Sequence, residues 1–331
     1  MRCRISPTLA VRSLLSLLLL LCAAQGVSAA DYPTKPVTIL VGQAAGGSTD
    51  LGARVFASLL EKEFGQPVIV VNKPGGSQQV AANELVRLPA DGYNLLFVNF
   101  PALNTVILQP ARKATFDLND FEFIANQVKD QGIIIVKPNG PYKDCKDLIE
   151  DAKKRSGQVR IGLQGILTHA HFGALLLERE AGVKVRTVQQ FEGSGAVAAA
   201  VMGGHIDAGI DRVGSYATKV LAGDLKAIAI MDSERSPFLP DVPTSTELGY
   251  PKWKTASSAG LLARKGTPAP ILKKLETAAL KIMNDPEHVK KMTTMGQRLG
   301  IMGGAEYRKY AEDWHRVTKE MMELFAAKPK Q

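Results

Sequence analysis

Short apolar runs alternate with amphipathic stretches along most of the chain. The runs that predict strands are residues 37–41, 67–71, 95–98, 132–136, 160–163, 183–188, 206–210, 225–230 and 257–262. Apolar positions recur at helical spacing in residues 51–64, 80–88, 146–154, 169–180, 196–202, 213–222, 271–283, 286–295 and 305–325. Residues 121–128 have a mixed pattern, and residues 244–248 predict a short helix. Strands that alternate with helices are typical of an α/β fold, in which crossover helices join parallel strands.

The first strand ends in a turn of small residues, Ala44-Ala45-Gly46-Gly47, which Ser48, Thr49 and Asp50 follow before a helix. Backbone N–H groups at such a helix start are free, and the helix dipole favours an anion there. Glycines allow the anion to approach the backbone closely. The turn therefore has two interpretations: a site for a carboxylate-like group, or an ordinary turn in which Ser48 or Thr49 caps the helix.

Two more loops that follow predicted strands contain glycines, residues 164–171 and 190–195. In open α/β sheets, ligands bind at the carboxyl ends of strands, and a cleft between two such sheets can enclose a small molecule. The run Asp232–Pro243 contains three prolines and predicts an extended connector rather than a helix. The pattern therefore favours two α/β units whose glycine loops face each other, and 331 residues suffice for two cores.

The amino-terminal segment has the pattern of a secretory signal peptide. Three arginines precede the apolar run Leu14–Ala24, and Val27-Ser28-Ala29 fits a small-residue cleavage site. An uncleaved anchor is the alternative, but the run is short for a membrane span. We therefore predict that residues 1–29 are removed by cleavage near Ala29 and that the mature protein is exported to the periplasm.

Charge and cysteine content exclude further classes. The net charge of +9 falls to +6 without the three arginines of the predicted leader, and no basic stripe with interleaved aromatic residues is present. Nucleic acid is therefore not a predicted partner. A weak positive field could raise the arrival rate of anionic ligands, or serve solubility alone. Only Cys145 lies outside the leader, so no intrachain disulfide is predicted, which suits a bacterial periplasm.

The motifs of nucleotide-binding proteins and hydrolases are missing. No Gly-x-Gly-x-x-Gly follows the first strand, no Walker lysine follows Gly46-Gly47, and no Gly-x-Ser-x-Gly occurs. His169 and His171 stand two residues apart at a helix start, a spacing that does not place both rings on one face, so we predict no metal site. Asp50 and Asp211 could form an acid/base pair. We instead expect Asp50 to complement its helix start and Asp211 to tie a loop together.

The chain resembles the substrate-binding proteins of tripartite tricarboxylate transporters, also called Bug receptors, over essentially its whole length after the leader. The resemblance rests on ten segments in order. They are Tyr32-Pro33-x-Lys35-Pro36-Val37, Gly46-Gly47-Ser48-Thr49-Asp50 with Arg54, Gly65-Gln66-Pro67-Val68, Val71-Asn72-Lys73-Pro74-Gly75, Asp91-Gly92-Tyr93, Gly162-x-x-Gly165-x-x-Thr168-x-x-His171, Gly193-Ser194, Gly204-x-Ile206-Asp207, Pro240-Asp241-Val242-Pro243-Thr244 and Gly266-Thr267-Pro268.

The resemblance implies a two-lobed periplasmic binding protein of the second structural type, a Venus flytrap with its ligand cleft between two Rossmann-like domains. One lobe would comprise residues 30–127 and 232–331, and the other residues 128–231. Hinges would lie near residues 125–131 and 230–234. It implies a monomer without catalysis or cofactor, which binds a small organic carboxylate and delivers it to a permease with one large and one small subunit.

Three alternatives remain open at this stage. The first is an extracytoplasmic sensing subunit that docks on a membrane signalling protein. The second is an enzyme with a Rossmann-like domain, which the missing phosphate motifs disfavour. The third is a degenerate family member that has lost its ligand.

The resemblance also implies ligand-binding loops. In the family, the loop that matches residues 43–50 grips a ligand carboxylate through backbone amides and ordered waters, and the loops that match 165–171 and 191–194 contribute from the other lobe. Adding polar residues that follow predicted strands, the expected site residues are Gln43, Ala45, Gly46, Gly47, Ser48, Asp50, Asn99, Gln164, Gly165, Thr168, His171, Phe191, Gly193, Ser194 and Asp211.

The chain departs from the family pattern in four loops. Gly42-Gln43 replace a proline and an aromatic residue, Gln78 and Leu167 each replace a glycine, and Gln190-Phe191 replace proline and tyrosine. We expect Leu167 to narrow the pocket and Gln43 to influence the choice of ligand. The family's usual ligand therefore cannot be transferred to this chain.

Overall fold

A computed structural model of the chain describes residues 31–191 and 193–326; the predicted signal peptide and its cleavage site lie outside these residues. The strands in the described part are β1 Val37–Val41, β2 Val68–Asn72, β3 Asn94–Phe100, β4 Phe121–Val136, β5 Arg160–Gly162, β6 Arg186–Val188, β7 Ala208–Arg212, β8 Lys226–Met231, β9 Ala256–Arg264 and β10 Leu299–Gly303. The α-helices there are α1 Ser48–Phe64, α2 Gln79–Leu85, α3 Ala102–Leu108, α4 Cys145–Lys154, α5 His169–Ala181, α6 Ser194–Met202, α7 Val213–Leu221, α8 Ala269–Met283, α9 Pro286–Thr294 and α10 Gly304–Ala326.

The strands form one sheet with the order β2-β1-β3-β9-β4-β7-β5-β6, and β8 and β10 also pair with β4. Strand β1 is parallel to β2 and β3, and β5 is parallel to β6 and β7. Strands β9 and β4 are antiparallel to their neighbours and join these two parallel units. The predicted α/β fold is confirmed.

Strand β4 belongs to both units. Its first part, residues 121–131, pairs with β9, and its last part, residues 132–136, pairs with β7 and β8. The mixed pattern of residues 121–128 is therefore part of a continuous strand of 16 residues. The predicted hinge at residues 125–131 lies within this strand, and the predicted hinge at 230–234 lies where β8 ends; both stay predictions.

Each unit has apolar clusters on both faces of its part of the sheet. Phe56 and Phe97 are buried in one cluster of the first unit, and Phe100 packs edge-to-face on Tyr307 in the other. The second unit buries Phe172 on one face and Tyr216 on the other. Burial on this scale supplies most of the folding free energy of an α/β domain.

Two segments after residue 232 also pack on the second unit. Leu239, from the proline-rich connector, and Trp253, ten residues after it, are buried in its clusters. Helix α10 begins against the first unit, where Tyr307 is buried, and ends against the second, where Met321 is buried. The predicted assignment of residues 232–331 to the first lobe stays a prediction, but the packing ties these two segments to the second unit as well.

Three elements differ from the sequence expectations. Helix α3 and strand β10 were not expected, because the first is apolar on nearly all sides and the second is rich in glycine. Residues 244–248 form turns instead of a helix, since the Glu247 carboxylate accepts the Thr244 N–H at 2.7 Å and Gly249 follows in a left-handed conformation. None of the helices in the described ranges combines the length and apolar character that crossing a bilayer requires.

Candidate functional site

A cavity of about 610 Å³ lies between the two units, at the carboxyl ends of their strands. Nine of the expected site residues line it: Gln43, Gly47, Ser48, Asn99, Gln164, Thr168, Gly193, Ser194 and Asp211. The fold brings these residues together because β3 and β7 end on either side of the central pair β4 and β9. The structure therefore gathers residues that are up to 168 positions apart in sequence around one space that suits a small ligand.

Six expected residues lie outside the cavity lining, namely Ala45, Gly46, Asp50, Gly165, His171 and Phe191. Ala45 and Gly46 are exposed on the outer side of the turn. Phe191 lies in a separate hollow on the second unit, beside Arg160 and Arg186. Asp50 and His171 are buried behind the loops.

The glycine turn leaves the start of helix α1 open. Gly47 is its N-cap residue, and no side-chain hydrogen bond caps the helix. The expectation that Ser48 or Thr49 provides the cap is therefore wrong, since the Thr49 hydroxyl donates instead to Asn99 Oδ1 at 3.0 Å. The first N–H groups of a helix have no partner within it, so those of the first turn of α1 remain available. Gly47, Ser48 and Thr49 all line the cavity.

Asp50 holds this turn from behind. Its carboxylate accepts the Gly46 N–H at 2.8 Å, Asn72 Nδ2 at 2.8 Å and Arg54 Nε at 3.0 Å. Burial alone would raise the pKa of Asp50, but hydrogen bonds from Arg54, Gly46 and Asn72 together hold that pKa below its ordinary value. The ionised carboxylate thus accepts the hydrogen bond of the Gly46 N–H and fixes the loop. The N–H groups after Gly47 are not used by Asp50 and stay available at the cavity.

Gln78 braces the neighbouring strand end. Its buried side chain accepts the Asn99 N–H at 2.7 Å and donates to the Asn99 carbonyl at 3.2 Å. Its φ is +81°, and a Cβ on Gly42 would lie 2.6 Å from the Gln78 Cβ. Two departures from the family pattern therefore fit each other, because Gly42 leaves the space that Gln78 fills. Ser77, which precedes Gln78 at φ +55°, also lines the cavity and was not expected.

Asp211 organises the opposite wall. It is fully buried and accepts hydrogen bonds from the Gln164 amide and, at 3.0 Å, from His169 Nε2. Burial alone would raise the pKa of Asp211, but the hydrogen bond and charge of His169 and the charge of Arg212 hold that pKa below its ordinary value. The expected role of tying a loop matches these contacts: Asp211 holds Gln164 and His169 at the cavity surface.

Two further helices begin at this wall. The N-cap residues of α6 and α7 are Gly193 and Arg212, and neither helix has a side-chain cap. Gly193, Ser194 and Ser215 line the cavity. The starts of α1 and α6 are therefore open at this space, whereas at the start of α7 the Asp130 carboxylate accepts the Gly214 N–H at 3.1 Å.

Buried groups from β4 and from the segment before β10 complete the cavity. Asp130 accepts the Gly214 N–H at 3.1 Å, and burial raises the pKa of Asp130 to about 7. Gln297 donates to the Ser48 carbonyl at 2.8 Å. Sequence analysis missed both residues. It also missed Arg212, although that residue directly follows Asp211 at a strand end, and it considered His169 only as a metal ligand.

Leu167 does not narrow the cavity as expected. Its side chain is buried in the second unit, outside the cavity lining, and its φ is +57°. A left-handed backbone of this kind favours glycine, which accounts for the glycine that the family pattern has there. The Leu167 N–H donates to His171 Nδ1 at 2.9 Å, and its carbonyl accepts the Thr105 hydroxyl at 2.9 Å. Within residues 31–191 and 193–326, no group of three or more His, Cys, Asp or Glu side chains could hold a metal ion.

A cavity between two α/β units, lined by open helix starts and polar side chains, is the arrangement of two-lobed solute-binding proteins. The fold matches a TctC solute-binding protein from Polaromonas, with a TM-score of 0.77 and 27% identity over 88% of this chain and 99% of that one. It also matches an R. palustris protein solved with adipate, with a TM-score of 0.77 and 25% identity over 89% of this chain and 98% of that one.

Sequence comparison gives the family. Residues 52–325 match the model of the tripartite tricarboxylate transporter family receptor. The protein BugT of Bordetella pertussis is 31% identical over 247 residues, which are 74% of this chain and 76% of that protein. The chain belongs to the tripartite tricarboxylate transporter receptor family, whose members are periplasmic solute-binding proteins and not enzymes. The family inferred from the motifs, the two-lobed fold class and the absence of catalysis are confirmed.

Proposed function

We propose that this protein is a periplasmic receptor that binds a small organic carboxylate in the cavity between its two units and delivers it to a tripartite membrane transporter. The observation that carries the proposal is that two uncapped helix starts, of α1 in the first unit and α6 in the second, both reach that cavity. Each helix start has the effect of roughly half a positive charge, and its free N–H groups point outward. Such a cavity stabilises an anion without any metal ion.

The carboxylate would bind first at the start of α1. The N–H groups of Ser48 and Thr49 supply the donors, and Gly47 has no side chain to block the approach. Hydrogen bonds from N–H groups to a carboxylate are shorter and stronger than those to a neutral oxygen. Thr49 and Asn99 hold each other beside this position, so the donors are fixed before the ligand arrives.

The opposite wall would close over the ligand. Gln164, Thr168 and Ser194 line the cavity from the second unit. The chain passes between the units in β4 and in the segment after β8, so a change of backbone angles near residues 125–131 and 230–234 would rotate one unit against the other. We propose the lobe division inferred from the family pattern on this basis, with the packed connector moving with the second unit.

The comparisons support the ligand class and the partner. The R. palustris protein was solved with adipate, a small dicarboxylate, and it shares 25% of its residues with this chain. The family description names a tripartite transporter, from which we infer the large and small permease subunits as partners of a monomeric receptor. Export through cleavage near Ala29 is part of the same proposal, and the amino-terminal sequence of protein from a periplasmic extract would test it. A sensing subunit would use the same cavity, and no residue of the described chain specifically favours a sensing role over transport.

The direct test combines two measurements on the mature protein. Mass spectrometry of molecules that co-purify with it should identify a small organic acid. A panel of mono-, di- and tricarboxylates, with sugars and divalent cations as controls, should contain at least one acid that raises the melting temperature by several degrees. A ligand at 100 times its Kd stabilises the folded state by about 2.7 kcal/mol. A shift with a sugar or cation but with no acid would contradict the proposal.

A further inference from the structure

Residues 296–298, here called the coupling segment, lie at a junction between the two units. The segment follows α9 and precedes β10 of the first unit. It is anchored at its start, because the Gly296 and Gln297 N–H groups donate to carbonyls in the last turn of α9 at 2.9 and 3.0 Å. Each of its three residues contacts a different part of the molecule: the second unit, the start of α1, and the crossings between the units.

Gly296 is a point of direct backbone contact between the units. A Cβ on Gly214, the second residue of α7, would lie 2.5 Å from the Gly296 carbonyl oxygen. Gly296 itself has a φ of +68°, a left-handed conformation that favours glycine. The start of α7 therefore rests on the coupling segment, and any rotation of the second unit changes this contact.

Gln297 fixes one of the proposed ligand donors. Its buried side-chain amide donates to the Ser48 carbonyl at 2.8 Å. The Ser48 carbonyl and the Thr49 N–H belong to one planar peptide group, so a hydrogen bond to the carbonyl fixes the direction of that N–H. Hydrogen bonds that follow one another in a chain also strengthen each other, so Gln297 makes the Thr49 N–H a better donor to a carboxylate.

Arg298 holds both crossings between the units. Its carbonyl accepts the N–H of Lys129, in β4, at 3.1 Å. Its guanidinium lies 3.4 Å from the carboxylate of Asp232 and 2.6 Å from that of Glu234. Asp232 directly follows β8 of the second unit, so this ion pair spans the two units. The side chains of Arg298 and Asp232 are only 20% and 14% exposed, so salt screens this pair less than a surface pair.

We infer that the coupling segment links ligand binding to the orientation of the two units, with Gln297 positioning the donors of α1 and Arg298 positioning the second unit. This inference rests on the proposed function, since it assumes that a carboxylate binds at the start of α1. Such binding orders the Ser48–Thr49 peptide group and therefore Gln297, and the next residue holds both crossings. Arg298 lies outside the cavity lining, so it acts on affinity only through the fraction of protein in the binding orientation.

Two measurements on the mature protein test the inference. Calorimetry with the panel of carboxylates, which includes succinate, adipate, citrate and benzoate, identifies the acid that binds most tightly, and this acid serves as the probe. Pulsed electron paramagnetic resonance measures the distance between spin labels in a Ser156→Cys/Lys290→Cys variant, which places one exposed label on each unit. The buried free cysteine is removed by Cys145→Ala. Probe binding should narrow the distance distribution.

Arg298→Met removes the ion pair that spans the units and keeps an unbranched side chain. We expect a broader distance distribution without the probe and an affinity about three- to tenfold lower, and saturating probe should restore the narrow distribution. Arg298→Lys should recover part of the affinity, since it keeps the charge. The control Lys281→Met breaks an ion pair within the first unit and should change neither measurement.

Gln297→Met removes the hydrogen bond to the Ser48 carbonyl and keeps the length of the side chain. Affinity should fall about three- to tenfold, while the label distances without the probe stay unchanged. On addition of the probe, the Thr49 amide resonance should move less than in the unaltered protein, a change that a general loss of packing would not confine to this residue. In the double variant Gln297→Met/Arg298→Met the loss of affinity should be smaller than the product of the two single losses, because the loosened segment already holds Ser48 less firmly.

Three results would overturn the inference and leave the proposed function intact. They are unchanged label distances in a folded Arg298→Met variant, unchanged affinity in a folded Gln297→Met variant, and a loss in the double variant equal to the product of the single losses. Melting curves establish that each variant is folded. If no acid of the panel binds the unaltered protein, the inference fails together with the proposed function.

Discussion

The two walls of the cavity are built on different chemistry. The first-unit wall consists mainly of neutral groups: it presents the open start of α1, the Thr49 and Ser77 hydroxyls and the Asn99 amide, and its one ionisable side chain among the described lining residues is Asp130 of β4. The second-unit wall carries His169, Asp211 and Arg212, which are side chains with ionisable groups. Backbone N–H groups hold any carboxylate equally, whereas charged side chains distinguish what lies at its other end. We therefore expect the first wall to capture the ligand and the second wall to influence which ligand is bound.

The walls also differ in what holds them. Asp50 and Gln78 fix the first wall from positions outside the cavity, so their removal changes the geometry of the wall and not its composition. Asp211 fixes the second wall from within the lining, and it balances the charge of Arg212. Substitutions at these residues can therefore separate capture from selection.

The largest effect is expected for Asp211→Asn. The substitution leaves the Arg212 cation without its nearest carboxylate and weakens the acceptor of Gln164 and His169, and breaking a buried ion pair in this way costs about 3–5 kcal/mol of stability. We expect affinity for the ligand to fall at least tenfold, measured by calorimetry alongside chemical denaturation. Asp207→Asn, which breaks a partly exposed pair with Arg160 on the same unit, is the control and should leave affinity unchanged.

Asp50→Ala is expected to weaken binding by loosening the glycine turn. The variant frees the Gly46 N–H and the Asn72 amide, with a loss of stability of about 1–3 kcal/mol. Affinity should fall for monoacids and diacids by the same factor, since both use the first wall. Arg54→Ala removes only the half-exposed partner of the same carboxylate and should cost less than about 1 kcal/mol. Lower stability with unchanged affinity would make the role of Asp50 purely structural.

Gly42→Ala tests how the first wall is braced. Its new methyl group would meet the Gln78 side chain at 2.6 Å, so we expect a loss of about 1–3 kcal/mol from overpacking. The double variant Gly42→Ala/Gln78→Gly removes the side-chain part of the clash and leaves only the Gln78 Cα at 2.8 Å, so the two effects should not add. Urea denaturation of the two single variants and the double variant completes the cycle. Strict additivity would contradict the fit between these two positions.

The smallest effect on stability and ligand affinity is expected when the pH is changed. Burial raises the pKa of Asp130 to about 7, so the folded protein binds a proton there that the unfolded chain releases near its ordinary value. The associated stability is present at acidic pH and is lost as the pH rises through about 7. Asp130 also lines the cavity, so affinity for an anionic ligand should fall a few-fold above that pH, where Asp130 carries a negative charge. Asp130→Asn should flatten both profiles, measured by denaturation and calorimetry between about pH 5 and 9.

The glycine loops could be located from the sequence because their cues are local. A strand, small residues and a helix start are adjacent in the chain, and the pattern of residues 39–54 predicts them directly. The interpretation of that turn was open between an anion site and a capped helix. The structure excludes the capped helix, since the Thr49 hydroxyl donates to Asn99 and no side chain caps the helix start. The anion site stays a proposal.

The last part of the central strand, residues 132–136, could be predicted, but the first part could not, because its polar residues are buried through distant partners. Asn126 donates to the Gly300 carbonyl, Gln127 lies within hydrogen-bonding distance of His288, and Gln131 donates to Asp232. A run of buried amides looks like a loop when only local hydrophobicity is considered. Asp130 and Arg212 escaped notice for the same reason: their proximity follows from the pairing of β4 with β7, which no local pattern predicts.

The contact between helix α10 and the second unit bears on where a tag or label can be attached to this protein. The Phe325 ring lies 4.9 Å from the His171 ring, and His171 accepts the N–H of Leu167, in the loop that carries Gln164 and Thr168. A purification tag or fluorescent fusion at the carboxyl end would therefore pull on the ligand loop. The segment at Tyr32, which packs on Tyr93 outside the cavity lining, is the safer place for a biosensor label.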